Sequence, residues 1–449
     1  MNWPALAIIL LSMDKSITPT KPRSSRQDAM DVLSQLRKGG FIAYFAGGCV
    51  RDQLLGLQPK DFDIATNATP KQVQEQFSNT QAVGAAFGVI LVRRRQSVIE
   101  VATFRSDASY QDGRHPSAVH FSTPQEDAQR RDFTINGLFF DPLEDRVIDF
   151  VGGQADLSNH LLRAIGEADE RFAEDHLRLL RAMRFASRFN LTIEPKTAEA
   201  IVRHAKSLIR ISPERIAEEL RMMLTPPTRA GAWPRLWEFG LLEPIFRFGP
   251  PPTAQNRKFN PARSIFLAVS PDDVIDFPLA LAAGSLCYQS HESPANADFQ
   301  MLLSDPFARK LVRAVRQSLK ISNEETDRME VILRGVGGLL QDAMPSVAQL
   351  KRFYAHPTAP DAIRLLLALQ QMGVRADRIG WLRERFSELE SVDCAPIPLI
   401  SGEDLLAAGL SAGPQFKRIL YEVYDAQLEG RVQDKSEAMG LALKLAGGH

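Results

Sequence analysis

Strand-like sequence stops near Glu170, and everything after it is patterned for helices. Before that point, short runs rich in β-branched and aromatic residues alternate with turns: Phe41 to Phe45, Asp61 to Thr66, Val89 to Val92, Val98 to Phe104 and Val147 to Phe150. Such runs read as strands. Helices are predicted over Gln27–Lys38, Val50–Leu57 and Pro70–Phe77, and a Gly152-Gly153 turn closes this portion. Beyond it, the Pro-rich stretches Thr225–Pro227, Gly249–Thr253 and Ala395–Pro398 read as joints between helical segments. No fixed-period repeat is present. One change of period along the chain requires a mixed α/β head followed by an all-α remainder.

The length, 449 residues, is too great for one small core and suggests several domains. Lys plus Arg and Asp plus Glu both number 54, so any basic surface for nucleic acid must be local. Cys49, Cys287 and Cys394 are far apart, which argues against a disulfide framework and fits a reducing, cytoplasmic setting. Trp3–Leu11 is apolar, but no basic residue precedes it and it is short of the roughly 20 residues a bilayer span needs. It is read as a mis-assigned start, with Met13 as the initiator, in preference to a targeting segment. No later stretch suits a membrane, and no obligate protein partner is evident.

Two constellations in the head carry chemistry. In Ile42-Ala43-Tyr44-Phe45-Ala46-Gly47-Gly48-Cys49-Val50-Arg51-Asp52 a β-run enters a double glycine and a helix begins at once. Glycines there serve either a tight strand–helix turn or a close approach to phosphate, with first-turn N–H donors and Arg51 adding charge. In Asp61-Phe62-Asp63, strand alternation puts both carboxylates on one face and Phe62 towards the core. Such a pair is either surface polarity or a site for a hard divalent ion, magnesium above all. Phosphate cradle and metal site would then be neighbours.

A third constellation lies just past the head. On one helix Arg178, Arg181, Arg184 and Arg188 would fall within an arc of roughly 120°, with Asp175 at its edge and Leu179, Leu180, Met183 and Ala186 turned away. This is either a solvated salt-bridge ladder or a ligand-facing stripe. Arg171 to Arg221 holds 11 basic and 7 acidic residues, a local basic excess suited to RNA.

The string GGCVRDQLLG…KDFDIAT resembles the class II tRNA nucleotidyltransferase and bacterial poly(A) polymerase family, whose head is of the polymerase-beta type. The resemblance continues through Arg130-Arg131-Asp132-Phe133-Thr134-Ile135-Asn136-Gly137, Asp141-Pro142, Gly152-Gly153 and Glu174 to Phe185. It resumes in Ile400-Ser401-Gly402-Glu403-Asp404-Leu405, Gly413-Pro414 and Gln427 to Gly430, and is loose between about 245 and 390.

The resemblance implies an α+β fold: a mixed-sheet nucleotidyltransferase head followed by an elongated all-α neck, body and tail. The corresponding divisions are an unstructured segment 1–24, the catalytic head 25–155, the neck 156–225, the body 226–390 and the tail 391–449. It implies addition of CCA to the 3′ end of tRNA from CTP and ATP, with release of pyrophosphate. Asp61 and Asp63 would hold two magnesium ions, with Glu100 a candidate third carboxylate, and Gly47, Gly48 and Arg51 would hold the triphosphate. Arg131 and Asp132 would read the ribose. Asp175 and Arg178 would act as a protein template, since an acceptor beside a donor pairs with cytosine and adenine but not with uracil or guanine. Arg181 and Arg184 would reach the incoming nucleotide or its phosphates. The polar segment 105–114 resembles the family's flexible loop.

Poly(A) addition is the alternative, and an enzyme restricted to CC or to A addition a subcase; the end at Lys444–His449 lacks the basic extension common in A-tailing relatives. None of the eight histidines precedes an Asp, so the HD metal site of many relatives is not expected, and Ala280–Leu286 would be its degenerate remnant. A silent RNA-binding protein is disfavoured by the intact Asp61, Asp63 and Arg131. Small-molecule adenylyltransferases lack the RRDFTIN and EDHLRLLR pair.

Overall fold

The structure is a computed structural model that describes residues 26–82, 88–95, 97–107, 119–248, 264–290 and 299–447. The segment 1–24 with its apolar run, the Gly249–Thr253 joint and most of the 105–114 loop lie outside the described residues. The chain divides into two units, Met1–His204 and Ala205–His449. Residues 156–204, read from sequence as the start of a neck, group with the head.

In the first unit the order is α1 (Arg26–Lys38), β1 (Ala43–Ala46), α2 (Gly48–Leu54), β2 (Ile64–Thr66), α3 (Pro70–Gln76), β3 (Thr80–Gln81), β4 (Val89–Arg94) and β5 (Ser97–Thr103). There follow β6 (Arg105–Asp107), β7 (Val119–Phe121), α4 (Pro124–Gln129), β8 (Leu138–Asp141), β9 (Arg146–Asp149), α5 (Gly153–Ser158) and β10 (Leu161–Leu162). The unit ends with α6 (Ala168–Glu174), α7 (Arg178–Arg188), β11 (Thr192–Ile193) and α8 (Pro195–His204). Seven strands form one mixed sheet in the order β3-β4-β5-β2-β1-β8-β9, with β2 and β5 parallel and the other pairs antiparallel. Thr69 with Gln72 and Thr123 with Glu126 form capping boxes ahead of α3 and α4, each followed by a proline in the first turn.

Alternation sorts the sheet's two faces. Phe45, Ile64 and Val101 are buried on the face that carries α1. The other face presents Ala46, Ala65 and Ala102, small side chains that leave room above the sheet.

Several expectations need correction. The Asp61–Thr66 strand begins only at Ile64, the first residue laddered to both neighbours, opposite Phe45 and Val101. Asp61, Phe62 and Asp63 precede it and keep the alternation: Phe62 is buried, its ring 5.4 Å from Phe45, while Asp61 is exposed. Strand β8 was not predicted; three of its four residues are buried, so it reads as an apolar run without period. Strand structure also persists past Glu170, since Thr192–Ile193 pairs in parallel with Leu161–Leu162. Finally, Asp175 does not lie on the arginine helix. It sits between α6 and α7 with φ −144° and ψ 104°. Its Oδ1 accepts from Leu177 N at 3.0 Å, a local bond that competes with helix continuation.

The described residues of the second unit form helices and turns with no strand. Thr225–Pro227 separates the helices Pro213–Leu224 and Arg229–Glu238, and Ala395–Pro398 separates Ala376–Leu389 from Gly402–Ala407, as read from sequence. Every residue from Phe277 to Tyr288 is buried in one central helix, which contains Ala280–Leu286. The Ile400–Leu405 motif is a capped helix start: Ser401 and Asp404 form a capping box, and Leu405 packs with Ile419, Val423 and Ala438. No described helix is long and apolar enough to cross a membrane.

Candidate active site

Above the alanine-paved face of the sheet lies a cleft of about 530 Å³. Its wall takes in Gly47, Gly48, Arg51, Asp63, Arg131, Asp132, Asp175, Arg178, Arg181 and Arg184. Of the residues singled out in sequence, Asp61 alone is not on that wall; it is exposed two positions ahead of Asp63. Eight arginines and four carboxylates line the cleft, a balance that favours an anionic ligand.

The double glycine turns β1 into α2. Gly47 has φ 67° and ψ −118°, and a Cβ there would lie 2.8 Å from Arg131 Nη1. Gly47 is therefore required by its left-handed backbone, and a Cβ there would in addition displace the Arg131 guanidinium. Gly48 is under neither constraint: a Cβ there would meet Arg51 Nη2 at an ordinary 3.6 Å.

The carboxylates follow from sheet register. Ile64 pairs with Val101 in parallel, so Asp63 and Glu100, one residue back on each chain, adjoin on the cleft face, and both line it. Cys49 packs close by, and burial, with the nearby Asp63 charge adding to it, pushes its thiol up to about 12, so it stays protonated. Among the described residues no three His, Cys, Asp or Glu side chains converge closely enough to hold a metal by themselves. Magnesium does not need such a cage; it commonly takes one or two carboxylates and completes its shell with substrate phosphates and water. Asp61, Asp63 and Glu100 supply the right donor type.

Around the turn runs a buried polar network centred on Asn136. Its Oδ1 accepts from Arg51 Nη1 at 2.5 Å, its Nδ2 donates to Asp132 Oδ1 at 3.0 Å, and its carbonyl accepts from Arg131 Nη1 at 3.2 Å. Arg51, 4% exposed, also donates to Asp52 Oδ1 and lies over the Phe189 ring at 4.4 Å. Burial lowers its pKa, with Asp52 acting against that shift. Arg51 thus reaches the cleft wall with its guanidinium bonded to Asp52 and Asn136. Arg131 and Arg130 both pair with the buried Asp127. Burial alone would raise the Asp127 pKa, and the two guanidiniums overcome it and hold it low.

Asp132 is engaged at both oxygens. Oδ1 accepts from Phe133 N and Asn136, and Oδ2 accepts from Arg181 Nε and lies 2.7 Å from its Nη2. Burial would raise its pKa, but Arg181 and the Asn136 bond bring it down to about 2.

Helix α7 brings the arginines. Leu179, Leu180, Met183 and Ala186 are wholly buried, as the periodicity required. The arginine face is not a solvated ladder. Arg178 is 9% exposed, its Nη1 donating to Arg171 O at 2.9 Å and Glu174 Oε2 at 2.5 Å. Arg51, Arg181 and Arg184 all lie over the Phe185 ring, at 5.1, 5.1 and 4.4 Å. Asn136, Phe185, Arg105 and Arg130 were not singled out as site residues, although each lines the cleft. The presence of Asn136 in RRDFTIN was the one available signal.

Two family models match the chain: the poly A polymerase head domain over residues 43–163, and a probable RNA and SrmB-binding site of polymerase A over 190–251. Poly(A) polymerase I of Salmonella typhi is 43% identical over 231 residues, 49% of this chain and 50% of that one. The chain thus spans about half the length of the poly(A) polymerases it matches. A CCA-adding enzyme of Lactobacillus johnsonii is 31% identical over 92% of this chain and 95% of its own. The Bacillus stearothermophilus CCA-adding enzyme, solved in complex with CTP, superposes with a TM-score of 0.70 at 29% identity, covering 93% of this chain and 97% of that one. With motifs, fold and near-full-length similarity agreeing, the chain belongs to the family of CCA-adding enzymes and bacterial poly(A) polymerases.

Proposed function

We propose that the protein adds CCA to the 3′ end of tRNA, consuming CTP and ATP and releasing pyrophosphate. The observation that carries this reading is a single cleft holding a glycine turn, a carboxylate pair and a rigid arginine helix. Near-full-length similarity to a CCA-adding enzyme favours tRNA over other RNA ends. Poly(A) addition is the second reading, favoured by 43% identity to poly(A) polymerase I over half the chain.

In this reading the RNA 3′-OH attacks the α-phosphate in line and pyrophosphate leaves opposite it. Asp61 and Asp63, with Glu100 beside them, would hold two magnesium ions, which when bound lower the hydroxyl's pKa and neutralise charge on the phosphates. Gly47 and Gly48 let the triphosphate approach the backbone, and Arg51 adds positive charge to the same group. Arg131 reads the ribose, while Asp132 positions Arg181, which with Arg184 faces the nucleotide. Asp175 and Arg178 present acceptor and donor to the base. The anchoring of Arg178 to Arg171 O and Glu174 supports a template role, because a fixed fork discriminates better than a free one.

The test is Asp63→Ala, and separately Asp61→Ala, assayed for nucleotide incorporation and for RNA binding by gel shift. The expected result is loss of incorporation by at least about a thousandfold with RNA binding retained. Normal turnover by either variant would overturn the carboxylate assignment.

A further inference from the structure

The arginines of α7 meet their partners in a fixed order along the helix. Arg178 donates to Arg130 O at 3.3 Å, Arg181 pairs with Asp132, and Arg188 lies 3.6 Å from Asp52. Asp52 belongs to α2, the helix that opens at Gly48. Arg178, Arg181, Arg184 and Arg188 all line the cleft, as do Gly47 and Gly48, so α7 runs from Asp175 at one end to the glycine turn at the other. The rise from Arg178 to Arg188 is about 15 Å, comparable to the length of an extended nucleoside triphosphate.

Arg188 is held more loosely than its neighbours. The ion pairs of Arg178 and Arg181 measure 2.5 and 2.7 Å against 3.6 Å for Arg188, whose side chain is 39% exposed. Its carboxylate partner is already engaged: Asp52 Oδ1 accepts from Arg51 Nε at 2.9 Å and Nη2 at 2.6 Å. One buried carboxylate thus faces two guanidiniums, and both of these lie over the Phe189 ring, Arg51 at 4.4 Å and Arg188 at 4.9 Å. Burial lowers the Arg51 pKa and the Arg188 charge adds to that shift, while Asp52 opposes it.

Two cations sharing one carboxylate leave a net positive charge beside the glycine turn, and an anion entering there meets the looser, more exposed cation first. A guanidinium fork matches a phosphate closely and gains more from it than from a carboxylate 3.6 Å away. We propose that Arg188 binds the terminal phosphate of the incoming nucleoside triphosphate, giving up its loose pair with Asp52 to do so. The inference rests on the proposed function, which puts the base beside Asp175 and Arg178 and so directs the phosphates along α7 towards Arg188. When the bond between the α- and β-phosphates breaks, Arg188 stays with the leaving pyrophosphate.

The experiment compares wild type, Arg188→Ala and Arg188→Lys, measuring the binding of CTP, CDP and CMP with magnesium by titration calorimetry. Inhibition of incorporation by pyrophosphate is measured beside it. Arg188→Ala is expected to weaken CTP binding roughly ten- to hundredfold, the range for one hydrogen bond to a charged group. CTP should then bind about as well as CDP, CMP binding should stay within about twofold of wild type, and pyrophosphate should inhibit correspondingly less. Arg188→Lys, which keeps the charge but not the fork, should fall between the two. The ratio of CTP to CMP affinity is taken within each variant, so a general loss of stability does not imitate the effect. An unchanged ratio in Arg188→Ala would overturn the assignment, and so would wild type that binds CTP no better than CDP. Should wild type bind CTP but transfer nothing to any RNA, the proposed function fails, while loss of the preference for CTP in Arg188→Ala would still support the phosphate contact.

Discussion

Gly47 is constrained by its backbone, which lies in a region that other residues rarely adopt, and a Cβ there would push against the tip of the Arg131 side chain. Gly47→Ala is expected to destabilise the first unit by about 1–3 kcal/mol. Gly48→Ala should leave the thermal midpoint nearly unchanged, so any lost activity there reports on ligand approach. Melting both variants beside an incorporation assay checks the contrast. Asp132 makes a prediction in pH. Its folded pKa of about 2 lies below the unfolded value near 3.9, so its stabilising contribution is present above about pH 5 and is lost as pH falls towards 2. Acid unfolding of Asp132→Asn should show a flatter dependence across that window than wild type. At this scale the sequence identified most of the cleft wall, because glycines, paired carboxylates and arginines carry their chemistry in their type. It did not show Asn136 as the hub, since Arg51, the side chain it accepts from, is 85 positions away and nothing local marks the pairing.

Periodicity placed helix α7 with its apolar face inward, and Leu179, Leu180 and Met183 are wholly buried. What periodicity could not show is that the polar face would be occupied as well. Arg178 and Arg181 are held by Glu174 and Asp132, which lie on other elements. Nor could it place the break at Asp175, where the backbone is extended and the side chain accepts from Leu177 N. Strand β8, an apolar run with no period, was missed for the same reason: tertiary burial decides it. At the turn between β9 and α5, Asp149 accepts from the backbone N–H groups of Val151, Gly152, Gly153 and Gln154. A Cβ on Gly153 would lie 2.2 Å from Thr134 O, inside the RRDFTIN motif. Gly153→Ala should therefore lower the thermal midpoint by roughly 4–10 °C, since backbone cannot yield as a side chain does. In the second unit the fully buried Arg229 donates to the carbonyls of Thr225, Val269, Ser270 and Asp273. Arg229→Met would leave those acceptors without their donor and is expected to cost about 3 kcal/mol or more, read by denaturant unfolding.

For the whole molecule, the single change of period near Glu170 anticipated a sheet-bearing first part and a helical second one. The strand pair Leu161–Leu162 with Thr192–Ile193 carries sheet structure beyond that point and falls within the first unit. Neutral composition said only that a cationic surface must be local, and the cleft concentrates eight arginines in the first unit. The loose match between about 245 and 390 corresponds to helices whose sequence is dictated by packing, with Phe277–Tyr288 buried throughout, so little there is diagnostic of chemistry. The central claim, stepwise addition of CCA, is tested most directly by giving the protein tRNA transcripts ending at the discriminator base, with CTP alone, ATP alone or both, in magnesium, and reading products at single-nucleotide resolution. The account predicts that two residues are added with CTP alone and three with both nucleotides, after which addition stops. A long ladder of A on any RNA end would contradict it and make Asp175 and Arg178 selectors of adenine alone.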